Sequence, residues 1–234
     1  MVDFHSHILP AVDDGSRDVE ESIALLNMLS QQGIKTVCAT PHFNANRQTV
    51  EEFLEARNSA YNNLKESLPQ DAPQIRLGAE VAYYEGIERL EGLKDLCIEG
   101  TNLLLLEMPF CKWSDFAINE IIHLSCRGDI KIALAHIERY MAYQKLDLYE
   151  RFIQNDITMQ VNASFFTEFK TRHKAFKMLK NGYIHIIGSD CHSVAHRPPF
   201  IGNALALIEK KLGGDYLCDM AEYWHSLFSK IYVH

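Results

Sequence analysis

The chain has 234 residues, of which 47% are apolar, and it carries a formal net charge of −8. This length and composition supply a sizeable core and fit one large α/β domain or two small ones. The net negative charge disfavours a nucleic-acid backbone or an anionic membrane surface as the main partner, and no apolar run is long enough for membrane insertion.

Short apolar segments alternate along the chain with longer segments of helical spacing. Seven segments are predicted as strands: Val2–Ser6, Thr36–Ala39, Ile75–Gly78, Leu103–Leu106, Lys131–Ala135, Thr158–Val161 and Ile184–Gly188. The later helices are predicted at Trp113–Arg127, Leu148–Asn155, Lys170–Asn181, Phe200–Leu212 and Asp215–Ser229. The run of leucines at Leu103–Leu106 is typical of a strand covered on both faces in a parallel sheet. The alternation predicts a parallel α/β architecture, either barrel-like or doubly wound.

The two earlier helices have start signals in the sequence. Asp18 is followed three residues later by Glu21, and Thr49 is followed by Glu52. In a capping box the first side chain accepts from the third backbone N–H, and the glutamate accepts from the backbone N–H of the cap. Capping boxes are therefore predicted at both sites, and Gly33 is predicted to end the first helix.

The cysteines are scattered and form no Cys-x-x-Cys pair; they are Cys38, Cys97, Cys111, Cys126, Cys191 and Cys218. The N-terminus lacks the basic flank and apolar stretch of a secretory signal peptide. We therefore expect a cytoplasmic protein with reduced, mostly buried thiols and without a thiolate zinc site.

Residues that can bind metal ions follow the ends of the predicted strands. In parallel β/α folds the C-terminal strand ends meet at one rim, where functional sites form. His5 and His7 are expected on one face of the first strand because side chains alternate along a strand. The rim residues, in chain order, are His5, His7, Asp14, His42, Glu80, Glu107, His136, Asn162, Asp190 and His192. Chance would scatter such residues over helices and strand starts, so their convergence indicates a site.

The rim set contains five histidines and four carboxylates, which is more than one ion can use. Mixed imidazole and carboxylate ligands suit Mn²⁺, Fe or Zn²⁺ rather than Ca²⁺. Clustered acids also need a compensating positive charge, because bare carboxylates in one cavity repel one another and take up protons. The set therefore predicts two or three divalent ions, with a carboxylate bridging two of them.

Interpretations other than a metal site explain the rim residues less well when these are taken together. One histidine or strand-end carboxylate alone is often part of a structural ion pair. Cys191 and Arg197 have the Cys-x5-Arg spacing of cysteine-dependent tyrosine phosphatases, but no glycine lies between them, and strand alternation turns the thiol away from the rim. Asp13 is predicted to be a turn residue, and Asn162 a hydrogen-bond partner of the ligands.

Six motifs follow one another along the chain: His-x-His, Thr-Pro-His, Gly-x-Glu, Leu-Glu, Ala-His-Ile-Glu-Arg and Gly-Ser-Asp-x-His. Together they resemble the polymerase and histidinol phosphatase (PHP) superfamily. The N-terminal stretch His-Ser-His-Ile-Leu-Pro-x-x-Asp-Asp-Gly-Ser is typical of one branch, the bacterial manganese-dependent protein-tyrosine phosphatases of capsule and exopolysaccharide gene clusters. The resemblance covers most of the chain.

This resemblance implies an α/β fold, a single-domain distorted (β/α)7 barrel over residues 1–234 that holds three divalent ions. Mn²⁺ is the first expectation, with Fe or Zn²⁺ as alternatives. The implied ligands are His5, His7, Glu80 and Asp190 for the first ion, Glu80, Glu107 and His136 for the second, and Asp14, His42 and His192 for the third. Arg139 and Arg197 are implied to bind the substrate phosphate and, together with His42, to be catalytic.

A trinuclear site favours a particular reaction. Three divalent ions exceed the charge of four carboxylates, so the site attracts a phosphate dianion. A water shared by two ions deprotonates near neutral pH and can attack phosphorus directly. Tyrosinate, whose conjugate acid has a pKa of about 10, leaves more readily than a serine alkoxide. The prediction is therefore hydrolysis of phosphotyrosine without a phosphoenzyme.

Other functions remain open. A small-molecule phosphatase of the histidinol-phosphate type, or a phosphodiesterase or nuclease, could use the same site, although the net charge disfavours a nuclease. A metal-binding protein without activity is disfavoured by the intact ligand set. The resemblance implies a phosphotyrosine protein as partner, namely an autophosphorylating bacterial tyrosine kinase that regulates polysaccharide synthesis. The oligomeric state is left open.

The aromatic residues near the rim have two possible roles. Tyr140, Phe165, Phe166 and Phe169 either line the entrance for a phenyl ring or pack in the interior. Phe43 is a departure from the family pattern, because relatives often carry a second histidine there. We expect this change to alter contacts at the mouth of the pocket.

Overall fold

Parallel strands and helices alternate through the computed structural model, which describes residues 1–229. The described residues contain nine strands: β1 (Val2–Ser6), β2 (Thr36–Ala39), β3 (His42–Phe43), β4 (Gln74–Leu77), β5 (Glu80–Ala82), β6 (Leu103–Glu107), β7 (Lys131–Leu134), β8 (Thr158–Asn162) and β9 (Ile186–Gly188). They contain eight α-helices: α1 (Val19–Gln31), α2 (Val50–Lys65), α3 (Asp115–Cys126), α4 (Leu146–Gln154), α5 (Ser164–Thr167), α6 (Arg172–Lys180), α7 (Ile201–Leu212) and α8 (Gly214–Ser229).

The paired strands run parallel and form one curled surface. One sheet has the order β1-β2-β4, and the other has the order β3-β5-β6-β7-β8-β9. Backbone hydrogen bonds also join β1 to the residues after β9: His7 N donates to Cys191 O at 2.9 Å, and Asp190 N donates to His5 O at 2.7 Å. The first and last strands therefore meet, and the C-terminal strand ends surround one rim.

All seven predicted strands occur close to their predicted positions, although the last begins at Ile186 rather than Ile184. The short strands β3 and β5 are additional and continue β2 and β4 after brief interruptions. Pro41 lies in the first interruption, where it has no N–H to donate, and its carbonyl accepts from Glu80 N at 3.0 Å. As a result His42 and Glu80 are paired in register across β3 and β5.

One of the two predicted capping boxes is present. Thr49 accepts from Glu52 N, and the Glu52 carboxylate accepts from Thr49 N at 2.8 Å. Asp18 does cap α1 by accepting from Glu21 N, but the Glu21 carboxylate accepts from Arg17 instead of closing the box. The prediction of a capping box at Asp18 was therefore wrong in this detail, because the neighbouring Arg17 offers Glu21 a charged donor.

Apolar side chains from sheet and helices form one buried core. All four residues of Leu103–Leu106 are buried, as expected for a strand covered on both faces. All six cysteines are free thiols, but only Cys38, Cys97 and Cys191 are buried, so the prediction of mostly buried thiols was wrong for the other half. Within residues 1–229, no helix is both long enough and apolar enough to cross a bilayer.

Candidate metal centre

The centre of the rim is occupied by side chains on β1 and β5 and in the loops after β1 and β9. His5 and His7 both point inward, and their Nε2 atoms are 3.1 Å apart. Glu80 Oε2 lies 3.2 Å from His5 Nε2 and 3.4 Å from His7 Nε2. Asp190 Oδ1 lies 3.7 Å and 3.6 Å from the same two nitrogens. All four side chains are buried, so two imidazoles and two carboxylates face one another without access to bulk water.

A second group lies on the solvent side of this centre. His42 contacts Glu80 Oε2 through Nδ1 at 3.0 Å, while its Nε2 lies 3.4 Å from Asp14 Oδ1. His192 Nε2 is 3.6 Å from the same Asp14 oxygen. The Asp14 side chain is 72% exposed, in contrast to the buried centre. These three predicted ligands therefore meet at the outer edge of the cluster.

A third group lies on the other side of Glu80. His136 Nε2 is 2.9 Å from Glu80 Oε1 and 3.3 Å from Glu107 Oε1. The two oxygens of Glu80 thus face different sets of nitrogens, His136 on one side and His5, His7 and His42 on the other. This position between the sets suits a bridging carboxylate.

The donor atoms fit divalent ions. Three groups have donor atoms within 4.8 Å of one another: His7, Asp14, His42 and His192; His5, His7 and Asp190; and His42, Glu80 and Glu107. Metal–ligand bonds of about 2.0–2.2 Å place ligands on opposite sides of an ion at about this separation. Nitrogen and oxygen donors without thiolates match Mn²⁺, Fe or Zn²⁺. The rim therefore has the chemistry and spacing of a metal centre with more than one ion.

Two ligand candidates hold unusual backbone conformations. His136 has φ +32° and Asp190 has φ +53°, both in the left-handed region that residues other than glycine seldom adopt. Such strain is costly and concentrates at functional sites. Each residue lies two positions after the end of its strand, so the strained turn directs its side chain into the cluster.

Neighbouring carboxylates raise the pKa of two imidazoles in the cluster. Burial lowers the pKa of His7, but hydrogen bonds to Asp13 and Glu80 outweigh it and raise that pKa to about 10. Burial likewise lowers the pKa of His136, yet Glu107 and Glu80 raise it to about 9. A bound cation needs the imidazole lone pair, so metal binding would release these protons.

The pKa values of His192 and Asp190 are lowered, in contrast to those of the two imidazoles above. Burial, followed by the positive charges of His7 and Arg197, lowers the pKa of His192 to about 4. Burial raises the pKa of Asp190, but the positive neighbours, led by His5 and His7, bring it below its usual range. Near neutral pH one side chain is therefore a neutral imidazole and the other a carboxylate, both in the state that a metal requires.

Both predicted phosphate-binding arginines stand beside the cluster and share one partner. Arg139 Nη2 donates to Asp190 Oδ2 at 2.6 Å, and Arg197 Nη2 donates to the same oxygen. Arg197 Nη1 also lies 2.9 Å from His192 Nε2. The arginine side chains are 38% and 40% exposed, so each can present further N–H donors to a bound anion.

Open space lies on two sides of the cluster. A cavity of 520 Å³ is lined by the loops after β1 and β3, including Asp14, His42 and Arg47. A cavity of 220 Å³ is lined by the loops after β7, β8 and β9, including Arg139 and Arg197. The cluster thus lies between two openings, and both arginines line the same one.

Supporting residues were partly missed by the sequence interpretation. Asp13 is more than the predicted turn residue, because its Oδ2 accepts from His42 N at 2.9 Å and contacts His7 Nδ1 at 2.7 Å. Asn162 has the predicted partner role and donates to Asp190 Oδ2 at 2.7 Å. Gln160, which was not singled out, is fully buried beside His5. Its polar side chain between the buried Met159 and Val161 was the available signal.

The structure also locates Cys191 of the Cys-x5-Arg spacing and the aromatic residues near the rim. Cys191 is fully buried, and burial raises the pKa of its thiol, so it cannot serve as a thiolate nucleophile. Phe43 is fully buried and its ring packs against that of Phe53, while the residue also lines the 520 Å³ cavity. The expected change of contacts at the pocket mouth stays a prediction. Burial also assigns three of the four candidate aromatics to packing, namely Tyr140, Phe165 and Phe166.

One rim aromatic was missed by the sequence interpretation. Phe110 is 47% exposed, and its ring centroid lies 5.8 Å from that of His136 at an interplanar angle of 24°. It follows β6 by three residues, next to Pro109, in a segment without strand or helix periodicity. Its position at the site depends on the contact with His136, which belongs to a different loop. The sequence alone does not show that contact.

The chain is similar to known proteins along almost its whole length. A family model described as capsular polysaccharide synthesis, CpsB/CapC, matches residues 1–223. The Bacillus subtilis protein named tyrosine-protein phosphatase YwqE is 31% identical over 224 residues, which cover 92% of this chain and 86% of that protein. The tyrosine-protein phosphatase CpsB of Streptococcus pneumoniae is 30% identical over 235 residues, with 91% of each chain covered.

A solved structure supports the same conclusion. It belongs to the crystal structures of YwqE from Bacillus subtilis and CpsB from Streptococcus pneumoniae, which are described as metal-dependent tyrosine phosphatases. The match has a TM-score of 0.83 at 26% identity and covers 98% of this chain and 94% of that chain. The predicted resemblance is confirmed, and the chain belongs to the CpsB/CapC family of capsular polysaccharide synthesis proteins.

Proposed function

We propose that this chain is a metal-dependent phosphatase that hydrolyses phosphotyrosine on proteins of capsular or exopolysaccharide synthesis. The observation that carries the proposal is the convergence of five histidines and four carboxylates beside Arg139 and Arg197. Relatives at 30% and 31% identity bear the name tyrosine-protein phosphatase, and the matched solved structures are described as metal-dependent. The family's description supplies the biological process.

Three divalent ions, with Mn²⁺ as the first choice, are proposed to occupy the centre. Their proposed ligands are His5, His7, Glu80 and Asp190; Glu80, Glu107 and His136; and Asp14, His42 and His192. The position of Glu80 between two sets of nitrogens supports its bridging role. When bound, divalent ions lower the pKa of water and stabilise negative charge on phosphoryl oxygens.

The protein's own residues position the ester. Arg139 and Arg197 lie on one side of the cluster, and their donors not used by Asp190 are proposed to hold the phosphoryl oxygens. His42 lies at the outer edge, 37% exposed, where it can contact both a cation and the entering substrate. The reaction is proposed to be direct attack of water on phosphorus. Burial of Cys191 supports this route, because the thiol of the Cys-x5-Arg spacing does not reach the site.

We propose that the strands form a distorted (β/α)7 barrel in a single domain over residues 1–234, of which 230–234 lie outside the described residues. Counting β2 with β3, and β4 with β5, as two interrupted strands gives seven. Their pairing supports this count, since β2 pairs with β4 and β3 pairs with β5. The hydrogen bonds between β1 and the residues after β9 support closure.

The proposed protein partner is an autophosphorylating bacterial tyrosine kinase of polysaccharide synthesis, and the proposed location is the cytoplasm. Three exposed free thiols, Cys111, Cys126 and Cys218, support a reducing compartment. The family description supports a substrate within the polysaccharide machinery. The net charge of −8 supports a protein substrate over nucleic acid.

The test compares three substrates with purified, Mn²⁺-loaded protein: a phosphotyrosine peptide, the same peptide with phosphoserine, and histidinol phosphate. We expect preferential hydrolysis of the phosphotyrosine peptide, loss of activity in EDTA, and recovery on adding Mn²⁺. Cys191→Ser should keep the rate of wild type. Hydrolysis of histidinol phosphate alone, or activity that persists in EDTA and is lost in Cys191→Ser, would overturn the proposal.

A further inference from the structure

A buried glutamine links several of the proposed ligands. Gln160 lies on β8 and is fully buried beneath the metal centre. Its Oε1 lies 2.6 Å from the backbone N of His136 and 3.3 Å from the Nδ1 of His5. Its Nε2 lies 3.1 Å from Oδ1 of Asn162. Both polar atoms of the side-chain amide therefore have hydrogen-bond partners at the cluster.

The backbone contact fixes the orientation of the amide. A backbone N–H can only donate, so the Gln160 atom that faces His136 N must be the carbonyl oxygen. This oxygen has a second lone pair and can only accept, so the Nδ1 of His5 must carry a proton and donate to it. The Nε2 of His5 is then the nitrogen with a free lone pair. That nitrogen is the one that faces His7, Glu80 and Asp190.

The other end of the amide fixes an aspartate in the same way. Since Gln160 Nε2 donates to Asn162 Oδ1, the Asn162 atom facing Asp190 is the Nδ2 donor. It lies 2.7 Å from Asp190 Oδ2. The oxygen that remains directed at the histidines is Oδ1, at 3.7 Å from His5 Nε2. The glutamine therefore determines which nitrogen of His5 faces the cations, and through Asn162 it adds to the two arginine contacts that hold Oδ2 of Asp190.

We propose that Gln160 is a positioning residue of the metal centre, which holds His5 in its Nδ1–H tautomer and, through Asn162, helps to hold the Asp190 carboxylate in place. The inference depends on the cation site of the proposed function but not on the identity of the phosphorylated substrate. It assigns Gln160 no contact with substrate. Mutation of a residue that hydrogen-bonds to a metal ligand typically lowers the metal affinity about 10- to 100-fold.

Metal affinity is the first readout. In isothermal titration of the metal-free protein with Mn²⁺, the dissociation constant of Gln160→Leu should be about 10- to 100-fold larger than that of wild type. Gln160→Glu keeps an acceptor for His5 but loses the donor to Asn162, so its affinity should lie between those of Gln160→Leu and wild type. Gln32 supplies a matched control because its Oε1 also accepts a backbone N–H, from Gly202 at 2.8 Å, far from the centre in α1's C-cap. Gln32→Leu should bind Mn²⁺ with the affinity of wild type.

The second readout needs no variant of Gln160 and therefore does not depend on its folding. Long-range ¹H–¹⁵N spectra of Zn²⁺-loaded protein with labelled histidine should show His5 protonated on Nδ1 and coordinated through Nε2. The His5 signals are assigned by their loss in His5→Gln. Protonation on Nε2, or wild-type Mn²⁺ affinity in a folded Gln160→Leu, would overturn the inference.

The two proposals fail differently. A wild-type protein that binds Mn²⁺ with the expected His5 tautomer but does not hydrolyse phosphotyrosine overturns the proposed activity and leaves the role of Gln160 intact. A protein that binds no Mn²⁺ overturns both.

Discussion

Oδ2 of Asp13 lies 2.7 Å from Nδ1 of His7 and, through the same oxygen, holds the backbone N of His42 at 2.9 Å. One carboxylate on the loop after β1 therefore orients a buried imidazole and anchors the start of β3. Its second oxygen accepts from Gly15 N at 2.9 Å, so the turn itself is closed on this side chain. The negative charge of Asp13 also strengthens the bond to the imidazole, which turns His7 Nε2 towards the cluster.

Asp13→Ala should therefore weaken Mn²⁺ binding about 10- to 100-fold, because His7 loses the partner that fixes its orientation. Asp13→Asn retains an acceptor without the charge, so its Mn²⁺ affinity should lie between those of Asp13→Ala and wild type. The measurement is titration of the metal-free protein with Mn²⁺, with far-UV circular dichroism as the check on folding. Equal affinity for Asp13→Ala and wild type would assign the residue to the turn alone.

The arginines should act on the substrate rather than on the metal. Arg139→Lys and Arg197→Lys should each lower kcat/KM for a phosphotyrosine peptide about 100-fold, because lysine lacks the planar fork that holds phosphoryl oxygens. Mn²⁺ affinity should change far less, since Asp190 keeps its other positive neighbours.

Arg127 is the control for these variants, because it pairs with Asp129 at 2.9 Å on the surface. Arg127→Lys should have wild-type kinetics. If the losses in Arg139→Lys and Arg197→Lys disappear at saturating Mn²⁺, both arginines serve to hold Asp190 and the proposed phosphate contacts are wrong.

The strands and most proposed ligands could be predicted because they depend on local pattern. Leu103–Leu106 has no alternation and is buried on both faces, and His5 and His7 share a face as the strand period requires. The strand interruption at Pro41 could not be placed in space, although it sets His42 opposite Glu80. The register between separate strands depends on their packing, which a single strand's pattern does not contain.

Contacts between loops were the other part that sequence did not show. Asp13 and Gln160 have ordinary local explanations, a turn and a polar strand residue, and only the fold places them against His7 and His5. Phe110 lies in a segment without periodicity and reaches His136 from a different loop. Gln160 and His5 lie far apart in the chain, as do Phe110 and His136, so no spacing rule identifies these contacts.

Phe110 should contribute to selection of aryl phosphates. Its half-exposed ring lies almost parallel to the His136 ring at the rim and offers a face to a phenyl group of the substrate. Aromatic pairs contribute about 0.5–1.5 kcal/mol beyond their buried area, so Phe110→Ala should raise KM for a phosphotyrosine peptide roughly 2- to 13-fold. The rate on a phosphoserine peptide should change little.

The variant Phe110→Leu distinguishes stacking on the substrate ring from shielding of His136. Leucine still shields His136 but has no ring face, so this variant should show the same loss of preference for the aryl substrate as Phe110→Ala. A steady-state comparison of both peptides measures the effect. Equal losses on phosphotyrosine and phosphoserine would mean that Phe110 shields His136 and does not contact the substrate.

His185 should make stability depend on pH independently of the metal centre. Its Nδ1 accepts from Met159 N at 2.9 Å between β8 and β9, and burial lowers its pKa below the ordinary value. The unfolded chain, with a histidine pKa of about 6.5, therefore takes up the proton before the folded chain does. The contribution of His185 is complete above that pH and is lost as the pH falls through it, levelling off below the folded pKa. Its slope cannot exceed about 1.4 kcal/mol per pH unit.

Urea unfolding in EDTA at pH 7.5 and 5.5 measures this effect without bound cations. His185→Gln keeps an acceptor for Met159 N but cannot titrate, so its free energy of unfolding should fall less between the two pH values than that of wild type. His173 is exposed on α6 and supplies the control, because His173→Gln should retain the wild-type pH dependence. An identical fall in wild type and His185→Gln would show that His185 binds its proton equally in the folded and unfolded chains.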